Sequence, residues 1–377
     1  MIKRIYNNLE DLIEPNKVLI IFGPRRVGKT TLVKSFLERT SLRYRFDNGD
    51  NIDIQEILSS RRLSLITEYV GDKEIIVIDE AQNIPYIGKA LKLIVDSFPG
   101  IKVIATGSSS FDLTGQIGEP LVERKTTITL FPLSAIELLP EYNNNGFDFK
   151  KHLNEFLTFG SYPSVVTSNN LTTKKDTLHE LVNSYLLKDI LALDNIKDSK
   201  FIRNLLKLLA YQIGNEVSQT ELATQLGVNV KTVARYLDLL EKTFVIYPLG
   251  GYSRNLRNEI TSKNKYFFFD NGIRNAIIDQ FNSIDLRNDI GQLWENYLMG
   301  ERMKKRLYKG IYGSNYFWRT YEKHEIDLIE DREAVLHGFE FKWAINKKPE
   351  APREWVEAYP HAVYQVINRE NFLDFIS

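Results

Sequence analysis

Residues Gly23-Pro24-Arg25-Arg26-Val27-Gly28-Lys29-Thr30 fit the pattern G-x-x-x-x-G-K-[ST] at every fixed position and follow directly on the apolar run Val18 to Phe22. The run reads as a strand, and the apolar spacing of Leu32, Val33, Phe36 and Leu37 reads as a helix, so the pattern predicts a strand, a loop and a helix in series. Glycines at both ends permit a loop whose N–H groups all turn inward, and the helix N-terminus adds its own open N–H groups. Such a cradle suits the phosphates of a nucleoside triphosphate. Gly23, Pro24, Arg25, Arg26, Val27, Gly28, Lys29, Thr30 and Thr31 are therefore the candidate nucleotide-binding residues, with Lys29 reaching the β- and γ-phosphates and Thr30 holding magnesium. A surface turn that matches by chance is the bland alternative, and it leaves the flanking strand and helix unexplained.

A second apolar run, Ile75 to Ile78, ends in Asp79-Glu80, fifty residues after Lys29. A buried parallel strand delivers acids to the carboxyl edge of its sheet in this way. Asp79 is then a magnesium residue, and Glu80 the base that takes a proton from the attacking water. Lys102 to Thr106 reads as a further strand, followed by Gly107 and three serines, of which Ser108 is the candidate sensor of the γ-phosphate; a plain serine turn is the alternative. Arg43 to Asp47 and Thr127 to Leu130 complete five strands, and the expected module is a doubly wound parallel α/β sheet.

The motifs GPRRVGKT, IIVIDEAQ and VIATGSSS together resemble those of the prokaryotic AAA+-type ATPases of the additional-strand class. Leu130 to Ser134 (LFPLS), Phe159 to Pro163 (FGSYP) and Tyr185 to Ile190 (YLLKDI) resemble the ATPase-to-lid region of the same family, so the similarity covers essentially the whole chain. The resemblance implies ATP with Mg2+ as the cofactors and an oligomer as an option, and no guanine-reading N-K-x-D is present. It places Arg124 near the nucleotide or a neighbouring subunit, which makes it the candidate arginine finger; an exposed structural arginine is the alternative. For the C-terminal half the family supplies no function.

At 377 residues the chain is too long for one ordinary core. Lys plus Arg and Asp plus Glu both number 49, so any nucleic-acid surface must be local. The absence of cysteine excludes disulfides and thiolate zinc sites and fits a reducing cytoplasm. Met1 to Asp11 already carries Lys3, Arg4 and Glu10, and the apolar runs are short, so neither a secretory signal nor a membrane span is expected.

The turn-rich Glu141 to Gly146 suggests a boundary, after which Phe149 to Phe159 and Thr173 to Leu193 show helical spacing. They read as a small lid, or as a helical spacer. Phe201 to Ile213, a capped helix after Ser218, Gly227, a second helix from Val230 to Glu241 and a strand from Phe244 to Pro248 describe a winged helix-turn-helix. From 197 to 265 there are eleven Lys or Arg against six Asp or Glu, a local excess of five positive charges. Lys231, Thr232 and Arg235 would face duplex DNA if the second helix reads a groove; many winged helices only hold domains together.

Gln292 to Leu307 reads as a helix bearing Glu295, followed by strands carrying Asp327 and Glu340-Phe341-Lys342. Alternation along a strand turns Glu340 and Lys342 to one face. The set resembles the D…(D/E)-x-K nuclease signature, although Ile326 replaces the usual proline. Glu295, Asp327 and Glu340 would then hold Mg2+ beside Lys342, and an inactive platform for a protein partner is the competing reading. The five histidines, His152, His179, His324, His337 and His361, show no zinc spacing. Tyr266 to Asp270 reads as a buried strand and turn. The expected order is thus an AAA+-type P-loop ATPase domain (1–135), a helical lid (136–196), a winged helix (197–265) and an α/β restriction-endonuclease-like domain (266–377).

Overall fold

Val18–Phe22 (β1) is buried at all five positions, as an unbroken apolar run requires when both faces of a strand are covered. The computed structural model describes residues 2–107, 120–186, 199–253, 263–320, 322, 324–346 and 349–377, so Ser108 and the part of YLLKDI from Leu187 onward lie outside the described residues. The chain divides into two compact units, one of Lys3–Pro132 with Lys242–Phe244, the other of Ile2, Leu133–Glu241 and Val245–Ser377.

In the first unit β1 joins Tyr44–Asn48 (β2), Ile75–Asp79 (β3), Lys102–Gly107 (β4) and Lys125–Thr129 (β5). All pairings are parallel, in the order β2-β3-β4-β1-β5. The sequence of each strand suits its place: β3 (IIVID) lies inside the sheet and is buried along its length, whereas β2 (YRFDN) and β5 (KTTIT) are half polar and form the edges. Helices Lys29–Leu37 (α1), Ile52–Ser59 (α2), Leu63–Val70 (α3) and Ile87–Ser97 (α4) alternate with the strands. On α4 the buried Ile87, Ala90, Leu91, Ile94 and Val95 recur every three or four residues and pack with Ile76, Ile78 and Val103 in one core. Truncating one such isoleucine to alanine costs about 2–5 kcal/mol.

The second unit holds one seven-stranded sheet, β12-β11-β10-β9-β7-β8-β6. Its strands are Glu216–Val217 (β6), Ile246–Gly251 (β7), Asn264–Phe268 (β8), Ser314–Arg319 (β9), Glu325–Arg332 (β10), Val335–Phe341 (β11) and Val363–Ile367 (β12). The helices before β7 are Ala135–Leu138 (α5), Gly146–Lys151 (α6), Leu153–Phe159 (α7), Pro163–Val166 (α8), Leu171–Glu180 (α9), Ser199–Tyr211 (α10), Gln219–Leu226 (α11) and Val230–Lys242 (α12); after β8 come Asn271–Ile277 (α13), Ile290–Lys309 (α14), Arg353–Ala358 (α15) and Phe372–Ile376 (α16).

Strand β8 pairs antiparallel with both β7 and β6, and β7 pairs parallel with β9 at Gly250↔Tyr316 and Gly251↔Phe317. The sheet therefore runs across residue 265, where a boundary was expected. The core under it gathers Phe156, Phe267, Trp294, Leu298, Phe339 and Phe372.

Two expected helices differ in detail. Phe149 to Phe159 is broken at His152, whose φ of −91° and ψ of 0° interrupt the helical ladder, yet Phe149 and Phe156 still stack 5.1 Å apart on the core side. The helix expected from Thr173 starts earlier, because the Asn170 side chain accepts the Thr173 N–H at 3.1 Å and caps it, and from Leu181 to Leu186 it widens into a π-helix.

Candidate nucleotide site and acidic centre

The phosphate loop of the first unit is shaped by what its glycines avoid. Gly23 has φ of +148°, and a Cβ there would lie 2.0 Å from the Leu130 carbonyl oxygen, so no other residue fits without moving the backbone. Gly28, at φ +96°, precedes α1 and offers no side chain to cap it, leaving the first N–H groups of that helix open toward the loop. Lys29 is 5 % exposed and its ammonium donates to the Gly23 and Pro24 carbonyls at 2.8 and 2.9 Å. Arg4 braces the loop from outside, donating to the Val27 carbonyl at 2.5 Å and the Phe131 carbonyl at 2.7 Å.

A helix and a neighbouring strand converge on one carboxylate at the end of β3. Thr30, on α1, donates to Asp79 Oδ2 at 2.8 Å, and Thr106, at the end of β4, donates to Asp79 Oδ1 at 2.5 Å. The Thr106 oxygen in turn accepts the Glu80 N–H at 3.1 Å. This follows from strand order: β4 lies between β1 and β3, with Ile21 opposite Thr106 and Ile78 opposite Ala105. Asp79 is thereby held, 5 % exposed, with its two oxygens tied to two hydroxyls. Glu80 adopts a left-handed backbone (φ 50°, ψ 44°) that turns the chain sharply after the strand, and its carboxylate accepts from Gln82 Nε2 at 2.5 Å. A divalent cation fits this set, because an aspartate and a threonine hydroxyl already face each other beside an open helix N-terminus.

Arg124 is placed otherwise than expected. Its carbonyl accepts from the N–H of Val18, the first residue of β1, whereas the phosphate loop follows Phe22, the last. Five residues of strand separate the two ends, roughly 13–16 Å. The Arg124 side chain instead pairs with Asp96 at 2.6 Å on the surface. As an arginine finger for the chain's own nucleotide, Arg124 is therefore corrected to a surface ion pair at the opposite edge of the sheet.

In the second unit the acids of the nuclease-like signature come from α14, β10 and β11. Leu328 faces Phe339 in the antiparallel pair, and one further step sets Asp327 across from Glu340. Asp327 accepts the Phe341 N–H at 2.7 Å, Glu340 pairs with Lys342, and the second Glu340 oxygen is buried without a hydrogen-bond partner. Burial raises the Asp327 carboxyl, and burial with the facing Asp327 charge pushes Glu340 up to about 7.

Lys265, on β8, was not singled out in the sequence and is the deepest charge of the group, at 2 % exposure. Its ammonium hydrogen-bonds Glu325 and lies 3.4 Å from Glu295. Burial alone would lower Lys265, but Glu295, Glu325 and Asp327 outweigh it and hold the ammonium charged. Burial pushes Glu295 up to about 8, with Lys265 opposing and Asp327 adding to the rise. Gly214, at φ +75°, passes so close that a Cβ would lie 2.8 Å from Glu295 Oε2.

Glu295, Asp327, Glu340 and Lys342 thus share one neighbourhood, but the three carboxylates do not converge as a ready ligand set. Among the described residues, the acids and histidines whose ligand atoms all lie within 4.8 Å of one another are Glu322, His324 and Glu354, at the surface. Sequence spacing did not reveal that trio because thirty residues separate His324 from Glu354.

Comparison with known proteins assigns the first of these sites a family likeness. Residues 15–139 match the family model described as AAA domain. With the parallel sheet, the first unit is a P-loop α/β fold, and over these residues it is similar to the AAA domain. Residues 150–283 and 290–375 match two domains of unknown function, DUF8612 and DUF4143. An uncharacterised protein of Methanocaldococcus jannaschii is 24 % identical over 96 % of this chain and 82 % of its own length. Another from Haemophilus influenzae is 26 % identical over 72 % of each chain, and one from Mycobacterium tuberculosis 26 % over 86 % of this chain and 70 % of its own.

Among solved structures, the ORC2 protein of Aeropyrum pernix in its ADP form aligns over 74 % of this chain and 92 % of its own at 13 % identity and a TM-score of 0.37. AMPPCP-bound DnaA of Aquifex aeolicus aligns over 62 % and 83 % at 15 % identity and a TM-score of 0.26. The AAA likeness rests on the family model and the sheet rather than on these scores.

Thr106, Arg4, Lys265 and Glu325 are the site residues that sequence reasoning missed. Thr106 ends a recognised strand, and the strand order that brings it beside Asp79 is the signal that identifies it. A lysine directly before the apolar run Tyr266 to Phe269 was the available sign for Lys265. Arg4 acts through backbone carbonyls and leaves no pattern.

Proposed function

We propose that this protein is a magnesium-dependent ATP hydrolase of the AAA type. The observation that carries the reading is the bridge from Thr30 through Asp79 to Thr106, which ties the helix after the phosphate loop to the acidic strand and to the strand between them. On nucleotide binding the Lys29 ammonium exchanges its loop carbonyls for β- and γ-phosphate oxygens. Gly23, Pro24, Arg25, Arg26, Val27, Gly28 and Thr31 line the loop, Thr30 and Asp79 hold the magnesium that arrives with ATP, and Glu80 accepts the proton of the attacking water. Ser108, just beyond β4, remains the sensor candidate, with Thr106 preceding it. ATP rather than GTP follows from the family likeness. The test is phosphate release from ATP by the protein, with Lys29→Ala as the blank; turnover equal to the blank sinks the reading.

For the second unit the proposal is a helical lid, a winged-helix module and a nuclease-like α/β centre. Strand β6 pairs with β8, which pairs in turn with β7; these strands flank α11 and α12 in the chain, which supports the winged-helix reading, and α12 exposes Lys231 and Arg235. Duplex DNA is the proposed ligand of that face, and its addition should raise ATP turnover if the two are coupled. Of the two roles for the acidic centre, cleavage and inert platform, the contacts of Lys265 favour the platform, since Glu295 and Glu325 already have a cation between them.

A further inference from the structure

We propose that Lys265 is a resident counter-cation that closes the acidic centre to divalent metal ions. The inference rests on reading the centre as nuclease-like, and it concerns what that centre can bind.

The argument begins with charge. Glu295, Glu325, Asp327 and Glu340 come into one neighbourhood from α14, β10 and β11, and four buried or half-buried carboxylates brought near one another require cations. A nuclease-like centre obtains them as divalent ions bridging the helix and strand acids. Here the bridge is made by the chain itself. The Lys265 ammonium contacts Glu325 at the start of β10 and Glu295 on α14, linking the same two elements. It is 2 % exposed, and the Phe317 ring lies 5.3 Å from it on a further side, so it has little room to swing away. Arg319 reinforces the arrangement, reaching Glu325 Oε2 at 3.7 Å and Glu216 at 3.4 Å.

Glu340 and Asp327 form the other half, with Lys342 as its own cation. Of the four acids, Glu340 alone keeps an oxygen that is buried and unbonded. A hard divalent ion needs several oxygens at close range, and among the described residues these acids do not form a group of three whose ligand atoms all lie within 4.8 Å of one another. A metal ion ligated by Glu295 would sit a few ångströms from the buried Lys265 ammonium, which Glu295 Oε1 already faces at 3.4 Å. At that distance, in a protein medium, the repulsion weakens divalent binding on the order of a hundredfold or more.

The experiment is Mn2+ binding followed by electron paramagnetic resonance on the nucleotide-free full chain, in the Asp79→Asn background so that the first unit holds no metal. The background protein should bind no Mn2+ at micromolar concentration. Lys265→Met, nearly isosteric and uncharged, should gain one site about a hundredfold tighter, and adding Asp327→Asn should abolish the gain. If the single variant fails to fold, Lys265→Met/Glu295→Gln removes one charge of each sign and gives the same readout from Glu325, Asp327 and Glu340. Tight binding by the background protein that Asp327→Asn removes overturns the inference and leaves the nuclease-like reading standing. A folded Lys265 variant that binds no Mn2+ overturns both.

Discussion

Thr106 and Asp79 lie on neighbouring strands, and the threonine hydroxyl donates to the carboxylate at 2.5 Å while accepting the N–H of Glu80. One hydroxyl therefore fixes both acids of the nucleotide site. Thr106→Val keeps the shape and removes both hydrogen bonds, leaving a buried N–H and a carboxylate oxygen unpaired. We expect a stability loss of about 1–3 kcal/mol and a fall in kcat of roughly 10–100-fold, with KM changed little. A kcat equal to that of the unaltered protein would show that Thr106 positions nothing.

Lys29 and Glu80 separate binding from chemistry. Lys29→Ala should abolish tight ATP binding, measured by calorimetry, because its buried ammonium is held inside the loop by the Gly23 and Pro24 carbonyls and is the cation that would meet the phosphates there. Glu80→Gln keeps the loop and the Asp79 contacts, so binding should persist while turnover stops. Undiminished hydrolysis in either variant removes the site from this loop.

Arg124→Ala tests the placement of that residue at the far edge of the sheet. Its exposed pair with Asp96 is worth about 0–1 kcal/mol, and ATP turnover by isolated chains should not change. A large drop that reverses on mixing with a Lys29→Ala partner, which brings an intact Arg124, would mean that it serves a neighbouring subunit's nucleotide.

Arg302 holds Glu330 through two hydrogen bonds of 2.7 and 2.9 Å in the second unit. Burial would raise the Glu330 carboxyl, but Arg302, Arg306 and Arg332 win and keep it below its ordinary value. A depressed carboxyl contributes stability above the unfolded-state value of 4.5 and loses it as the pH falls below that value. Thermal melts should therefore decline on the acid side, and less steeply in Glu330→Gln. Arg302→Ala strands a buried carboxylate and should cost about 3–5 kcal/mol near neutral pH. Parallel acid limbs for Glu330→Gln and the unaltered protein would contradict this account.

The strands of the first unit were legible because their apolar runs and terminal acids are local features: β1, β3 and β4 fall within a residue of where periodicity put them. So were Gly23 and Gly28, since loop geometry alone demands them. Arg124 was placed by the family resemblance; it directly precedes β5, which runs parallel to β1, and so lies at the strand starts, the end away from the phosphate loop. The acids at 295, 327 and 340 were read from their elements, but their counter-charges were not. Lys265 is contributed by a strand from a different stretch of sequence, and its partners are set by a fold in which β8 reaches α14 and β10. Long-range pairing leaves no periodicity behind.

The pairing of β7 with β9 restricts how this chain can be divided. Two family models meet between residues 283 and 290, as though two independent pieces were joined there. The sheet passes through that junction, from Ile246–Gly251 to Ser314–Arg319. A fragment ending near 285 would carry an unprotected β7 edge with Gly250 and Gly251 unpaired, and the complementary fragment an unprotected β9. Each is a template for strand addition, so fragments expressed singly should precipitate, whereas co-expressed halves should find each other's edges and recover the sheet. The two sequence families are on this view a single inheritable part, and recombination between them is disfavoured by the sheet they share.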